Sequence, residues 1–366
     1  MKEKKLLIFM PSVEGGGVEK NFFLIVNYLS KKFSNVTIIT AHKSIRKKIN
    51  KNINLIAPNS NIWNTNSRYP KYFICLIYLT LFLLRNKFTL VFAFQANIYA
   101  SLITKIFCKN IITRSNSSSE GWSKSYFRKV LYKIFLKLPD QVIVNSFQFK
   151  KELDSKFGIN SHVIYNPLNK NEIIKKSKEK IKLDFFKGSF VKIITVGRLV
   201  DQKDHLTMLR AINLIKDKNI KLLIIGNGKN KLKLKNYIKD NKLSSKVKII
   251  SFKKNPYKYI ALADIFLFSS IYEGLPNVLL EAQCLKKFII STNCPTGPKE
   301  ILLNGKFGEI VPMLNYKKLS KKIMSYKKTK KNIIKKIKLG YKNLNRFDYN
   351  YNMDKYSKVI KKFIYL

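Results

Sequence analysis

Short apolar runs alternate with segments whose apolar residues recur every three or four positions, and the alternation continues along the chain. Lys5 to Met10 is the first run; it stops too soon for a signal peptide and predicts a strand. Gly15-Gly16-Gly17 follows, then Val18, Phe22, Phe23, Val26 and Leu29 at helical spacing, then Val36 to Thr40 as a second strand. Strand, glycine turn, helix, strand is a βαβ unit, and such units build parallel sheets. Tyr72 to Leu84 is 13 residues without a charge. A membrane span needs about 20 apolar residues, so this stretch predicts a buried crossover helix, with an interfacial helix as the alternative.

Leu90 to Phe94 predicts the next strand, with Gln95, Asn97 and Tyr99 at its carboxyl end. Asn110 to Thr113 predicts another, ending at Arg114, Ser115 and Asn116 and a Ser-rich loop to Gly121. Polar residues gathered at strand ends suggest an acceptor site. Lys129 to Leu138 predicts a basic helix, and Gln141 to Asn145 and Val163 to Tyr165 predict strands. Asn166-Pro167 and the lysine-rich stretch Asn169 to Lys182 predict a linker and a domain boundary.

The pattern then restarts. Val191 to Val196 is a strand broken by Gly197-Arg198, with Lys203 and a helix from Asp204 to Ile215 behind it. Leu222 to Ile225 leads into Gly226-Asn227-Gly228; Lys231 to Asn241 is a helix, Val247 to Phe252 a strand, Tyr257 to Ala263 a short helix and Ile265 to Ser269 a strand. Phe288 to Ser291 is one more strand, followed by the loop CPTGPKEIL leading to Gly308 and Val311. The fold class is α/β, with two Rossmann-like doubly wound domains over residues 1–167 and 168–350. A C-terminal helix at 351–366 is expected to pack back on the first domain.

The stretch Ser269 to Gln283, SSIYEGLPNVLLEAQ, carries candidate chemistry. Glu273 and Glu281 are separated by seven residues, and Pro276, with its fixed φ, predicts the first helical position. Glu273 then lies in the loop and Glu281 on the helix. A helix N-terminus attracts phosphate, and two flanking acids suit sugar hydroxyls; phosphate between hydroxyl-binding acids describes a nucleotide sugar. Arg198 and Lys203 follow the first strand of the second half, where such sheets bind ligands. Fixed cations there lower the barrier to departure of a diphosphate.

Composition adds a conflicting signal. Against 21 Asp and Glu stand 72 Lys and Arg, a net charge of +51. Nucleic acid or an anionic membrane is the usual partner of such a chain. The lysines, however, are spread throughout among many Asn and Ile, and no helix-turn-helix, zinc finger or RNP-like stretch is present. No nucleic acid is therefore expected, and contact with anionic headgroups is favoured. Cys75, Cys108, Cys284 and Cys294 lie far apart, which suggests neither a zinc site nor a disulfide framework and fits a reducing compartment.

VGRLVDQKDHLTMLRAI, LLIIGNGKNKLKL, ALADIFLFSSIYEGLPNVLLEA and STNCPTGPKEILLNGKFGEIVP occur in this order. Together they resemble the family-4 retaining glycosyltransferases of the GT-B fold, most strongly from Val191 to Pro312. In the first half GGGVEKNFFLIVNYL, VFAFQANIYASL and VIYNPLN match in pattern. The resemblance implies an N-terminal acceptor domain and a C-terminal donor domain facing across a cleft. Arg198 and Lys203 would bind the donor diphosphate, Glu273 the donor sugar and Glu281 the ribose hydroxyls. The backbone around Gly197, Gly274, Leu275 and Asn277 would meet phosphate or sugar, and Gly16 and Gly17 would let the other domain approach the donor.

No metal cofactor is implied, and no Asp-x-Asp motif is present. Many members carry a His near Gln95; here His42, His162 and His205 lie elsewhere, so no catalytic group is assigned to the first domain and His205 is expected at the surface or as a cap. CPTGPKEIL resembles a subgroup building bacterial surface glycans, including N-acetylhexosamine transferases acting on polyprenyl-diphosphate-linked saccharides. The implied reaction moves a hexose or N-acetylhexosamine from a UDP-linked donor to a saccharide or polyprenyl-linked acceptor, in the cytoplasm, peripheral to the inner face of the membrane. A nucleotide-sugar epimerase or hydrolase of the same fold is the alternative.

Overall fold

The computed structural model describes residues 4–13, 15–60, 63, 67–87, 89–116, 126–217, 219–326 and 330–364. The Ser-rich loop from Ser117 to Gly121 lies outside them. Two compact units are present, Met1–Pro167 with Asn350–Leu366, and Leu168–Tyr349.

The first unit holds strands β1 (Lys5–Phe9), β2 (Val36–Ile39), β3 (Asn54–Ile56), β4 (Thr89–Ala93), β5 (Asn110–Arg114), β6 (Gln141–Val144) and β7 (His162–Val163). They pair in parallel in the order β3-β2-β1-β4-β5-β6-β7. The inner strands β1, β2 and β4, buried on both faces, read as continuous apolar runs rather than alternating ones. Helices α1 (Gly17–Leu29), α2 (Tyr69–Arg85), α3 (Asn97–Ile106), α4 (Tyr126–Phe135) and α5 (Phe147–Phe157) make the crossovers.

The second unit begins with helix α6 (Lys170–Ser177) where the sequence suggested a linker. The Asn169 side chain caps it by accepting from the Glu172 N–H at 3.1 Å, and Ile173 is buried. A capped turn with one apolar anchor outweighs the lysine-rich composition. Strands β8 (Val191–Val196), β9 (Ile220–Ile225), β10 (Val247–Ile250), β11 (Ile265–Phe268), β12 (Phe288–Thr292) and β13 (Glu309–Val311) form a parallel sheet in the order β10-β9-β8-β11-β12-β13. Around it stand α7 (His205–Asn213), α8 (Lys231–Asp240), α9 (Tyr257–Ala261), α10 (Asn277–Cys284), α11 (Pro298–Ile301), α12 (Tyr316–Ser325) and α13 (Lys330–Lys342). The core on one face of the sheet runs from Ile193, Leu222 and Ile265 to Met208, Ile212 and Leu319.

The last helix, α14 (Tyr349–Ile364), packs into the first unit. Tyr28 Oη donates to the Asp354 carboxylate, and Asn110 Nδ2 to the Phe363 carbonyl at 3.3 Å. The Arg114 guanidinium, fully buried, donates to Tyr356 Oη at 2.8 Å, to Asn166 Oδ1 at 2.6 Å and to Asn116 Oδ1, and lies over the Phe94 ring.

Three further local expectations change. Pro276 has an extended ψ of 104° and precedes α10 rather than opening it. The stretch Tyr72 to Leu84 is buried along one face of α2 only. His205 is not at the surface: it is the first residue of α7 and is buried, with no partner for Nδ1 among the described residues.

Burial, reinforced by the Lys203 charge, pushes the His205 imidazole down from 6.5 to about 4. Between these values the unfolded chain takes up a proton that the folded one does not, so stability falls as pH drops from 6.5 toward 4. Denaturant titrations at pH 7 and pH 4.5 are expected to show a loss on acidification that is smaller by about 2 kcal/mol in His205→Gln than in the wild type. Equal losses would reject the buried neutral imidazole.

Candidate active site at the carboxyl ends of the second sheet

In a doubly wound sheet, ligands bind at strand carboxyl ends where the strand order reverses, because two adjacent loops diverge there. In the second unit that point lies between β8 and β11, which pair through Ile193 with Ile265 and Ile194 with Phe266. The loop after β8 carries Gly197, Arg198 and Lys203, and the loop after β11 carries Ser269 to Glu273. Strand order alone therefore brings together two groups 70 residues apart in sequence.

Hydrogen bonds join these loops residue by residue. The Ile271 N–H donates to the Gln202 carbonyl at 2.8 Å, and Gln202 Nε2 donates to the Tyr272 carbonyl at 2.8 Å. Ser269 Oγ lies 2.8 Å from the carbonyl oxygens of both Lys203 and Asp204. Asp204 adopts a left-handed conformation and caps α7, accepting from the Thr207 N–H at 3.3 Å, and burial raises its carboxyl above the ordinary range. Held this way, Lys203 Nζ reaches Glu273 Oε1 at 2.5 Å, with both side chains largely shielded from water. Lys203 also lies over the Phe268 ring, 5.5 Å from its centroid. Arg198 is exposed and makes no ion pair among the described residues.

Glycines elsewhere make the close approach possible. The Gly197–Leu199 segment is pinned to the loop after β9 by Leu199 N–H to Asn227 O at 2.8 Å and Asn230 N–H to Leu199 O at 2.9 Å. A β-carbon at Gly226 or Gly228 would collide with the carbonyls of Gly197 and Leu199. Gly297, at φ 86°, lies against the Gly274 carbonyl and the Pro276 ring, and Thr296 Oγ1 donates to the Glu273 carbonyl. The loop CPTGPKEIL thus buttresses Glu273 through its backbone. Gly274, Leu275 and Asn277 lie in the segment it supports, at the start of α10, which has no side-chain cap.

Glu281 sits in the second turn of α10, buried, and accepts from Tyr257 Oη at 3.3 Å. Gly16 and Gly17 belong to the first unit, where they lead from β1 into α1 beside the corresponding reversal between β1 and β4. There Gln95 Oε1 accepts from the Ser12 N–H at 3.0 Å, tying the two loops together. Among the described residues no three His, Cys, Asp or Glu side chains converge as a metal site would require.

Sequence reading named the ion-paired and helix-borne groups. It missed those that hold them: Gln202, Ser269, Tyr257, Thr296, Gly226, Gly228 and Gly297. The glycine-asparagine-glycine turn and the Pro-Thr-Gly-Pro loop were visible as turns, but their targets were not.

Residues 15–172 match the model of glycosyltransferase family 4 and residues 176–342 that of glycosyl transferases group 1. The N-acetylgalactosamine-N,N'-diacetylbacillosaminyl-diphospho-undecaprenol 4-alpha-N-acetylgalactosaminyltransferase of Campylobacter jejuni is 30% identical over 327 residues, covering 85% of this chain and 87% of that protein. An uncharacterized glycosyltransferase of Methanocaldococcus jannaschii is 34% identical over 217 residues, 55% of this chain and 53% of the archaeal protein, so this chain spans about half the length of that relative. HepE of Anabaena, solved in complex with UDP, shares the fold over 98% of this chain and 100% of its own, with a TM-score of 0.79 at 14% identity. With family matches in both halves and a relative aligned over most of its length, the chain belongs to the family-4 glycosyltransferases of the GT-B fold.

Proposed function

We propose that this glycosyltransferase moves a hexose or N-acetylhexosamine from a UDP-linked donor to a saccharide carried on a polyprenyl diphosphate, in surface-glycan assembly and with retention at the transferred carbon. The observation that carries the reading is the Lys203–Glu273 ion pair at 2.5 Å, set at the strand ends with exposed Arg198 on the same loop as Lys203. Support for the donor comes from HepE, solved with UDP and with UDP-glucose. Support for the acceptor comes from the Campylobacter relative, whose name specifies a diphospho-undecaprenol substrate.

In this reading an incoming diphosphate draws Lys203 away from Glu273, and the freed carboxylate accepts hydrogen bonds from the sugar hydroxyls. Arg198 neutralises the second phosphate. The bond between the anomeric carbon and the diphosphate oxygen breaks with its electron pair going to the diphosphate, where both cations stabilise it. The acceptor hydroxyl oxygen bonds to the same face of that carbon, and its proton passes to the departing phosphate oxygen. Glu281, oriented by Tyr257, holds the ribose hydroxyls. Backbone at Gly197, Gly274, Leu275 and Asn277 lines the phosphate and sugar. Lys203 and Arg198 supply the charge that a metal provides in other transferases, so no metal cofactor is assigned.

The test is turnover of UDP-glucose, UDP-N-acetylglucosamine and UDP-N-acetylgalactosamine with and without a polyprenyl-diphosphate-linked saccharide. UDP release that depends on the acceptor, with an α-linked product by NMR, is expected. Equal release without acceptor would favour a nucleotide-sugar hydrolase or epimerase. Lys203→Ala is expected to lower kcat about 100-fold, the usual cost of one fixed charge-stabilising group, and Glu273→Gln to lower it comparably while the thermal midpoint stays near the wild-type value. Near-normal turnover in either variant would remove that residue from the reaction. Activity is also expected to survive EDTA, and its loss with recovery on adding a divalent ion would overturn the metal-free assignment.

A further inference from the structure

Arg114, the last residue of β5, is fully buried, and its partners among the described residues are neutral. A buried cation without an ionic partner is costly unless oriented dipoles replace its hydration. The three oxygens that do so come from separate parts of the first unit: Asn116 from the loop after β5, Asn166 from the segment after β7, and Tyr356 from α14. Two of the three belong to the segments in which the chain passes between the units, at Pro167–Leu168 and at Tyr349–Asn350. Beyond those crossings the second unit ties the same segments together, through the Leu168 N–H to the Phe347 carbonyl at 2.8 Å and a parallel bridge of Leu168 with Asp348. In the first unit Arg114 does the equivalent, joining Asn166 to Tyr356. Its third arm reaches the carboxyl end of the first sheet. There Asn97 Nδ2 donates to the Arg114 carbonyl at 3.1 Å and Asn145 Nδ2 to the Asn116 carbonyl at 3.3 Å, so the loops after β4, β5 and β6 share one network.

We propose that Arg114 is a positioning residue for the acceptor, coupling the strand-end loop at Asn116 to both crossings of the chain. A guanidinium suits this work because Nε, Nη1 and Nη2 lie in one rigid plane and hold Tyr356, Asn116 and Asn166 at the same time. Displacing any one partner turns the plane against the other two. The loop at Asn116 therefore keeps its place only while both crossings keep theirs. Arg114 is wholly buried and acts through Asn116, which is half-buried at the end of the sheet where ligands bind. Lys203 and Glu273 lie in the second unit and are held by their own loops, so donor binding is not expected to depend on Arg114. The acceptor role rests on the reaction proposed above, whereas the coupling does not.

Tyr356→Phe keeps the ring beside Phe92 and removes one acceptor oxygen. Amide hydrogen exchange then reads the coupling without any substrate. The variant is expected to speed exchange about tenfold or more both at Ser115, whose N–H bonds the Ile143 carbonyl, and at Leu168, because a buried charged donor left unpaired costs more than an ordinary hydrogen bond. Asn116→Ala is expected to speed exchange at Leu168 as well, and it carries the test should Tyr356→Phe fail to fold. In the transfer assay Tyr356→Phe and Arg114→Lys are each expected to lower kcat/KM for a polyprenyl-diphosphate-linked saccharide about tenfold or more, while the dissociation constant of UDP by calorimetry stays within about twofold. Exchange that quickens along α14 alone, or unchanged exchange at Leu168 in a folded Asn116→Ala chain, would overturn the coupling. Wild-type transfer kinetics in the variants, or UDP binding weakened as much as transfer, would overturn the acceptor role. A wild-type chain that turns over no such saccharide would remove that role together with the proposed reaction, and the exchange rates would still decide the coupling.

Discussion

The second unit depends on one short set of hydrogen bonds, those that tie Gln202 to Ile271 and Tyr272 and Ser269 to the backbone of Lys203 and Asp204. Parallel pairing of β8 with β11 brings the two loops side by side but does not fix their tips. Loop tips carry unpaired backbone groups, and each group buried without a partner costs about as much as a lost hydrogen bond. Here the loops satisfy one another, and the result is a rigid frame from which Lys203 and Glu273 project toward each other. An ion pair so shielded is held by geometry more than by its own net attraction, because desolvation offsets much of the Coulomb gain.

A second frame supports Glu273 from the other side. Gly297 and Thr296 press against the backbone of Glu273 to Pro276, and only a residue without a β-carbon tolerates both the positive φ and the contact. Gly226 and Gly228 do the same for the Gly197–Leu199 segment. The site is thus built from backbone packed on backbone, with side chains added at the tips. This explains why turns rich in Gly, Pro and Thr surround the charged residues: they set the distance at which the loops meet.

The first unit solves a different problem. Arg114 at the end of β5 is wholly buried and has only neutral partners among the described residues, Tyr356, Asn116 and Asn166. Three oriented oxygens and the Phe94 ring replace its hydration. One of those oxygens belongs to α14, so the end of the chain completes the environment of a residue from its middle.

The sequence by itself determined the alternation of strand and helix, the two parallel sheets, the family, and the residue types at the strand ends, because apolar runs and glycine turns are local properties. It passed over β3, β13 and α5, which are short or weakly apolar, and over α3, whose first residues read as the polar end of β4, and it read α6 as a linker because lysine composition masked an Asn169 cap. Only the tertiary structure decided that Lys203 meets Glu273 while Arg198 stays exposed, that His205 is buried, and that α2 is covered on one face only. Each of these depends on which strands are neighbours and on what covers a surface, and a chain read one residue after another carries no record of either.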